Sequence, residues 1–211
     1  MSPRPNPYAH APRLPEGDAV ALDSLFAFPG GPVELEVGPG RGAFILERAA
    51  ERPETRLLGL EIRRKWATLV DERLRARGFG DRARVVCEDA RVALGRLAPD
   101  ASVAGVFIHF PDPWWKKRHE KRLVMGDPLL DAICRLLVDG GEVFLQTDVA
   151  TRAAEYAAQL GGRPELEPAG DAVGSPALAA SPHRAESNRE KRALADGLPL
   201  YRLRYRRRPR G

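Results

Sequence analysis

Five short segments that predict strands alternate along this chain with segments of helical periodicity, and this alternation constrains the fold more than any other feature. The predicted strands are Val33–Val37, Leu57–Ile62, Val103–Phe110 and Glu142–Thr147, with one more within Ala83–Ala90. Val103–Phe110 is an apolar run, as is typical of a parallel strand buried on both faces of a sheet. The segments between them predict helices at Ala43–Arg52, Arg63–Arg77, Arg91–Leu97, Pro128–Val138 and Ala150–Leu160. Strands that alternate with helices form an α/β fold around a mostly parallel sheet.

The two ends of the chain depart from this pattern. Residues 1–31 hold many prolines and little periodicity, so we expect a flexible arm with a short helix within Ala19–Phe28. At the other end, Leu200–Arg206 alternates apolar and basic side chains, which predicts an amphipathic, antiparallel strand. We therefore predict an N-terminal arm at residues 1–31 and one domain with a basic tail at residues 32–211.

The charge of the chain indicates the kind of partner it binds. The net charge is +5, and the basic residues gather at 116–122 and from Arg202 to Arg210. A local basic surface favours a polyanion, most simply a nucleic acid. The alternative is that the arginine-rich tail mainly keeps the protein in solution.

Cysteine use and hydropathy indicate the compartment. Cys87 and Cys134 are too few for the disulfide framework of a small secreted protein, and both lie in apolar contexts. The chain has no apolar run of eighteen residues, and its first fifteen residues lack the apolar centre of a signal peptide. We expect a cytoplasmic protein with neither a membrane nor a metal as partner.

A glycine-rich turn follows the first predicted strand, in the pattern Glu36-x-Gly38-x-Gly40-x-Gly42. Such a strand–turn–helix unit lets backbone approach a ligand closely. The pattern is not G-x-G-x-x-G, which disfavours a nicotinamide dehydrogenase, and the acid at the strand end disfavours a pyrophosphate. Glu36 suits a ligand that carries positive charge, such as the amino and sulfonium groups of S-adenosylmethionine.

The next two strands also end at acidic residues. Glu61 follows the second strand, where a carboxylate can accept hydrogen bonds from both ribose hydroxyls of a nucleotide. Asp89 follows the third strand, where it can accept from the exocyclic amine of adenine. Both residues precede predicted helices, so each also fits a helix-capping role.

The stretch from Phe110 to His119 leaves the fourth strand and combines several reactive features. Two prolines flank Asp112, and two tryptophans and a basic cluster that includes Lys116 follow at once. Ligands bind beyond the carboxyl ends of strands in open α/β sheets, so this loop is a candidate site. Each part also has a simpler explanation. The Pro-Asp-Pro segment fits a plain turn, the tryptophans fit a lid on the core, and the basic cluster fits a solvated face. Asp148 ends the fifth strand and is either a site residue or a helix cap.

Together these motifs resemble the bacterial tRNA (guanine-N7-)-methyltransferase family, over residues 33 to 206. The resemblance rests on the glycine turn, Gly59-x-Glu61, Asp89-Ala90, Thr147-Asp148 and, above all, on Phe110-Pro111-Asp112-Pro113-Trp114-x-Lys116-Lys117-Arg118-His119-x-Lys121-Arg122. It implies the class I methyltransferase fold: a Rossmann-like, doubly wound, mostly parallel sheet of seven strands with an antiparallel C-terminal strand.

The resemblance also implies roles for individual residues. The cofactor S-adenosylmethionine would be bound by Glu36, Gly38, Gly40, Glu61, Asp89 and Asp112, with Asp112 also the catalytic acid. The tRNA substrate would be bound by Lys116, Asp148, Ser187 and Glu190. Ser187 and Glu190 belong to a segment in which Arg189 replaces the family's usual aromatic residue.

Three functions remain open from the sequence. The first is methyl transfer to N7 of a guanine in tRNA. The second is methylation of an exocyclic amine, because Asp112-Pro113-Trp114-Trp115 also resembles the Asp-Pro-Pro-aromatic motif of enzymes that act on nucleic acids or protein amides. The third is a tRNA-binding protein that has the fold without turnover, because folds are shared more widely than activities.

Overall fold

The computed structural model describes residues 6–111 and 124–211. In this part of the chain, eight strands form the central sheet. They are β1 (Val33–Val37), β2 (Arg56–Leu60), β3 (Ala83–Val86), β4 (Val103–His109), β5 (Leu137–Thr147), β6 (Leu166–Pro168), β7 (Ala177–Leu178) and β8 (Tyr201–Arg207).

Six α-helices of the described residues pack on this sheet. They are α1 (Ala43–Glu51), α2 (Arg64–Ala76), α3 (Ala90–Arg96), α4 (Asp127–Leu136), α5 (Ala150–Gly161) and α6 (Asn188–Ala195). Within the described ranges, none of these helices combines the length and the apolar character needed to cross a bilayer.

The strand order is β3-β2-β1-β4-β5-β8-β6, and β7 pairs with β8 beside this path. The first five strands are parallel, and β8 runs antiparallel to β5, β6 and β7. The α/β class, the mostly parallel sheet and the antiparallel C-terminal strand are thus confirmed. Seven strands form the expected path, and the two-residue β7 is an addition to it.

Helices cover both faces of the sheet, because the crossovers are right-handed and run in both directions from β1, towards β3 and towards β5. On one face, Leu94, Leu129 and Ile133 of α3 and α4 pack against strand residues such as Val106. On the other, α1 and α2 bury Ile45 and other apolar side chains against β2 and β3. The sheet is therefore doubly wound, and its core lies in two layers.

A cluster of aromatic residues fills the middle of the second face. Phe44 of α1, Phe107 of β4 and Phe144 of β5 are all buried there. The ring centroids of Phe44 and Phe107 lie 4.9 Å apart, within the range of favourable aromatic pairs. This cluster lies directly beneath the carboxyl ends of β1, β4 and β5.

The N-terminal segment differs from its prediction in one detail. Val20–Ala21 forms a short strand that was not predicted and pairs in parallel with Leu97–Ala98, and the short helix expected within Ala19–Phe28 is a 3₁₀ helix at Leu22–Leu25. Leu14 is buried, and the carbonyl of Pro12 accepts a hydrogen bond from the backbone N–H of Cys87 at 2.6 Å. The boundary between arm and domain at residue 31 stays a prediction.

Both cysteines are free and buried, as their apolar contexts predict. Burial raises the pKa of the Cys134 thiol to about 11 and also raises the pKa of Cys87. A thiol with a raised pKa is a weak nucleophile at neutral pH. The two cysteines are therefore packing residues.

Candidate functional site

A cleft of about 650 Å³ opens at the carboxyl ends of β1, β4 and β5. Its walls come from the glycine turn before α1, from the first residues after β4 and from the N-terminal ends of α5 and α6. Of the residues predicted to act at the site, five line this cleft: Glu36, Gly38, Gly40, Asp148 and Ser187. The location agrees with the rule that ligands bind beyond the carboxyl ends of parallel strands.

The glycine turn depends on backbone conformations that side chains disfavour. Gly38 has a φ of +71°. A Cβ atom built there would have no atom of the other described residues, its two chain neighbours aside, within 4 Å. A side chain there would strain the turn and enter that open space. At Gly42, with a φ of +80°, a Cβ atom would lie 2.4 Å from Val70 of α2, so glycine is needed for packing as well.

Glu61, just beyond β2, holds this turn in place. One carboxylate oxygen accepts the backbone N–H of Gly40 at 2.8 Å, and the other accepts the backbone N–H of Arg63 at 2.9 Å. The Glu61 side chain is almost fully buried, whereas the Arg63 side chain that contacts it is 62% exposed. Arg63 Nε also donates to Glu61 Oε1 at 3.1 Å, so one lone pair of the carboxylate stays available to a ligand, and the exposed Arg63 side chain can release a second.

Glu36 and His109 form a buried pair at the floor of the cleft. Glu36 Oε1 lies 3.1 Å from Nδ1 of His109, and both side chains are less than 5% exposed. Glu36 Oε2 and His109 Nε2 are buried, and neither has a hydrogen-bond partner among residues 6–111 and 124–211. A buried polar atom without a partner costs about 1–3 kcal/mol. Such atoms at the floor of a cleft mark a place where a ligand supplies the missing bond.

The protonation of Glu36 reflects this setting. Burial raises the pKa of Glu36, the hydrogen bond from His109 acts against that rise, and the nearby charge of Glu61 adds to it. An ionised Glu36 in this place is stabilised by any cation that enters the cleft. The electrostatics of the floor therefore favour a positively charged ligand.

Asp89 lies at the end of β3 and caps helix α3. Its carboxylate accepts the backbone N–H of Arg91 at 3.0 Å and also pairs with the Arg91 guanidinium. These hydrogen bonds from Arg91 lower the pKa of Asp89. The capping role that the sequence left open is therefore confirmed, and the adenine contact stays a prediction.

Asp148 lies at the end of β5, where it faces the cleft and pairs with Arg189 of α6. It does not cap α5: the hydroxyl of Thr147 accepts the backbone N–H of Val149 at 3.3 Å instead. Strands β4 and β5 are neighbours, with His109 opposite Gln146. Asp148 therefore lies beside the exit of β4, as the expected strand order requires.

Ser187 and Glu190 form a capping box at the start of α6. Ser187 Oγ accepts the backbone N–H of Glu190 at 3.1 Å, and Glu190 Oε2 lies 3.4 Å from the backbone N of Ser187. Glu190 also accepts from Gln146 Nε2 at 2.7 Å and pairs with Arg202 of β8. The structure thus gives both residues a part in anchoring α6, and their contact with substrate stays a prediction.

The chain turns sharply where it leaves β4. Phe110 is buried and has a φ of +51°, a left-handed conformation that costs a residue with a side chain about 1–3 kcal/mol. Its backbone N–H donates to the carbonyl of Gln146 at 2.7 Å, and the Tyr156 hydroxyl donates to the carbonyl of Pro111 at 3.3 Å. These contacts fix Phe110 and Pro111 at the wall of the cleft. Asp112 and Lys116 lie outside the described residues.

Arginines surround the mouth of the cleft, and sequence reasoning missed them. They come from the glycine turn, from the start of α2 and from α5 and α6: Arg41, Arg63, Arg152, Arg189 and Arg192. They are spread over the chain, so no run of basic residues marked them. The C-terminal arginines, which the sequence did indicate as a basic surface, include residues that form ion pairs within the protein. Arg202 pairs with Glu190, and Arg210 pairs with Asp139.

His109 is a further site residue that the sequence motifs do not mark. It ends an apolar run, and its pattern predicts only a strand residue. A signal was present, because side chains on a strand alternate between faces and His109 therefore shares a face with Phe107. Phe107 lies opposite Glu36 in the sheet, so parity places His109 beside the Glu36 carboxylate.

Comparison with known proteins agrees with this geometry. A family model described as "Putative methyltransferase" matches residues 30–203. A tRNA (guanine-N(7)-)-methyltransferase from Myxococcus xanthus is 36% identical over 182 residues, which are 86% of each chain. The protein of the same name from Anaeromyxobacter dehalogenans is 38% identical, over 85% of this chain and 87% of its own.

A solved structure confirms the fold. The SAM-dependent O-methyltransferase from Thermotoga maritima superposes with a TM-score of 0.56 at 18% identity, over 90% of this chain and 63% of its own. At that identity the likeness establishes the class I methyltransferase architecture. The family follows from the relatives that are more than 30% identical over most of their length: this chain belongs to the bacterial tRNA (guanine-N7-)-methyltransferase family.

Proposed function

We propose that this protein transfers the methyl group of S-adenosylmethionine to N7 of a guanine in tRNA. The observation that carries the proposal is the placement of Glu36 and Glu61 at the ends of neighbouring strands, on either side of the glycine turn. One carboxylate offers a cation a buried oxygen that has no partner within the described part of the chain, and the other has acceptor capacity for a sugar. The named activity of the relatives supports tRNA guanine as the acceptor.

The donor would be held at the carboxyl ends of the strands. Glu36 Oε2 would accept from the ammonium group of the methionine part, and Glu61 would accept from the ribose hydroxyls once the exposed Arg63 side chain releases it. Gly38 and Gly40 let the backbone of the turn approach the donor closely. Asp89 would accept from the adenine amine once the Arg91 side chain, which contacts both of its carboxylate oxygens, releases it. When bound, S-adenosylmethionine supplies an electrophilic methyl group on a sulfonium centre.

Methyl transfer to N7 of guanine requires the protein to align the reactants and to stabilise charge, and it does not require a base. The N7 atom of guanine carries a lone pair and no proton, so the protein need not remove a proton before methyl transfer. The sulfonium centre of the donor would supply the methyl group, and the positive charge would pass from the sulfur to the methylated guanine. A carboxylate beside the ring stabilises that charge as it develops, and we assign this role to Asp112.

The acceptor side of the cleft offers groups that fit a guanine in RNA. Asp148 can accept from the N–H groups on the Watson–Crick edge once Arg189 releases it. Ser187 and Glu190 fix the α6 end that carries Arg189. The arginines around the mouth, together with Lys116, bind phosphates of the tRNA backbone.

Incubation of the protein with methyl-labelled S-adenosylmethionine and unmodified tRNA, followed by nucleoside analysis, tests the proposal. We expect labelled 7-methylguanosine. A label on an exocyclic amine would favour the second function, and binding of tRNA without any transfer would favour the third. We further propose a cytoplasmic location, because tRNA is the substrate and the buried cysteines are free thiols.

A further inference from the structure

We propose that His109 is a positioning residue that orients the carboxylate of Glu36 for the cofactor. It donates its Nδ1–H to Glu36 Oε1 and so leaves Oε2 as the oxygen that receives the ammonium group of S-adenosylmethionine. The inference rests on the proposed function, because it assigns a ligand group to Glu36. It adds a residue that no motif of the chain marked as functional.

The sheet register brings the two side chains together. Glu36 on β1 lies opposite Phe107 on β4, and His109 follows two residues later on the same face of the sheet. Both line the cleft, and their facing atoms are 3.1 Å apart. An ionised carboxylate has only acceptors, so the proton in this bond is on Nδ1.

Aromatic packing holds the imidazole in this orientation. The ring centroid of His109 lies 4.3 Å from that of Phe44 and 6.0 Å from that of Phe144. The ring is also parallel to Phe107 to within 8°. A ring packed from both α1 and β5 presents Nδ1 at one fixed point. The Glu36 carboxylate is thereby oriented before the cofactor arrives.

The same hydrogen bond affects the charge of Glu36. Burial raises the pKa of Glu36, and the charge of Glu61 on the neighbouring strand adds to that rise. The bond from His109 and the nearby backbone N–H of Ile45 in α1 act in the opposite direction. His109 therefore helps to keep Glu36 ionised at the pH at which it must bind a cation.

Three substitutions separate the effects of the two ring nitrogens. His109→Asn keeps a donor near the place of Nδ1, because both atoms are two bonds beyond Cβ. His109→Gln reaches the place of Nε2 instead and loses the donor near Glu36. His109→Phe keeps the ring shape and removes both nitrogens. Thermal melting identifies any variant that has lost its fold.

Two ligands then report on the contact by calorimetric titration. S-adenosylhomocysteine carries the ammonium group, and 5′-methylthioadenosine lacks the amino-acid part. We expect His109→Phe and His109→Gln to weaken the first ligand by about tenfold and the second by less than about twofold. We expect His109→Asn to bind both ligands within about threefold of the wild type. On acidification, His109→Phe should lose S-adenosylhomocysteine at a higher pH than the wild type, because its Glu36 protonates earlier.

Two results would overturn the role of His109 and leave the proposed function in place. One is a His109→Phe variant that binds S-adenosylhomocysteine as well as the wild type does. The other is an equal loss of both ligands, which would indicate a general disturbance of the cleft. If the wild-type protein bound neither ligand, the proposed function itself would fail, and this inference with it.

Discussion

Glu34 and Arg48 form a buried, two-pronged ion pair beneath the cleft. Arg48 Nε donates to Glu34 Oε2 at 2.8 Å, and Arg48 Nη2 donates to Glu34 Oε1 at 2.7 Å. Both side chains are less than 10% exposed. The pair ties α1 to β1, so it fixes the helix that follows the glycine turn.

We expect Arg48→Met to lower the free energy of unfolding by about 3–5 kcal/mol, because it leaves the Glu34 carboxylate buried without its partner. The double variant Glu34→Gln with Arg48→Met should recover much of that loss, since no unpaired charge remains. Denaturant titration measures both changes. A single variant within about 1 kcal/mol of the wild type would show that the pair contributes little.

Glu36→Gln should increase the stability of the ligand-free protein and weaken the binding of S-adenosylhomocysteine. Since burial raises the pKa of Glu36, its ionisation costs stability at neutral pH, and the neutral amide should raise the melting temperature of the ligand-free protein. This advantage should disappear as the pH falls through the raised pKa towards the ordinary glutamate value, where the wild-type carboxyl is also neutral. The same variant should bind S-adenosylhomocysteine more weakly. A variant that is less stable than the wild type at pH 7 would contradict this account of Glu36.

Ser187→Ala should remove the cap of α6 and lower the free energy of unfolding by about 1 kcal/mol. Ser187→Thr keeps the hydroxyl and is the matched control, with an expected change within a few tenths of a kcal/mol. If Ser187 acts only through the cap, the Thr variant should also keep its rate of methyl transfer. A Thr variant that folds normally and has lost activity would instead assign Ser187 a direct contact with substrate.

Arg192→Gln should weaken tRNA binding and reduce its salt dependence. The Arg192 side chain is 75% exposed at the mouth of the cleft. Loss of one phosphate contact should lower the slope of log K against log salt by about one. Arg77→Gln is the control, because Arg77 lies at the C-terminal end of α2 and does not line the cleft. It should leave the slope unchanged. Equal slopes for the two variants would remove Arg192 from the tRNA interface.

The sequence predicted the frame of the molecule well, for physical reasons that particular strands illustrate. β1 at Val33–Val37 was predicted to the residue, because β-branched and apolar residues at alternate positions before a glycine turn are typical of a strand that leads into a helix. β8 at Tyr201–Arg207 was predicted from strict alternation, which only a strand satisfies. These signals are local, so they can be read from the chain alone.

The features that sequence reasoning missed depend on contacts between distant residues. Helix α6 is short and polar, and its stability comes from the capping box and from the contact of Glu190 with Gln146. The pairing of His109 with Glu36 joins residues 73 positions apart. Neither contact leaves a periodic pattern, so each required the register of the sheet.

The position of the bound donor tests the central claim most directly. A crystal structure of this protein with S-adenosylhomocysteine should place the ligand's ammonium nitrogen within hydrogen-bonding distance of Glu36 Oε2. The ribose should lie against Glu61, with the sulfur facing the exit of β4. A ligand found away from the carboxyl ends of β1 and β2, with Glu36 Oε2 still unpartnered, would contradict the account.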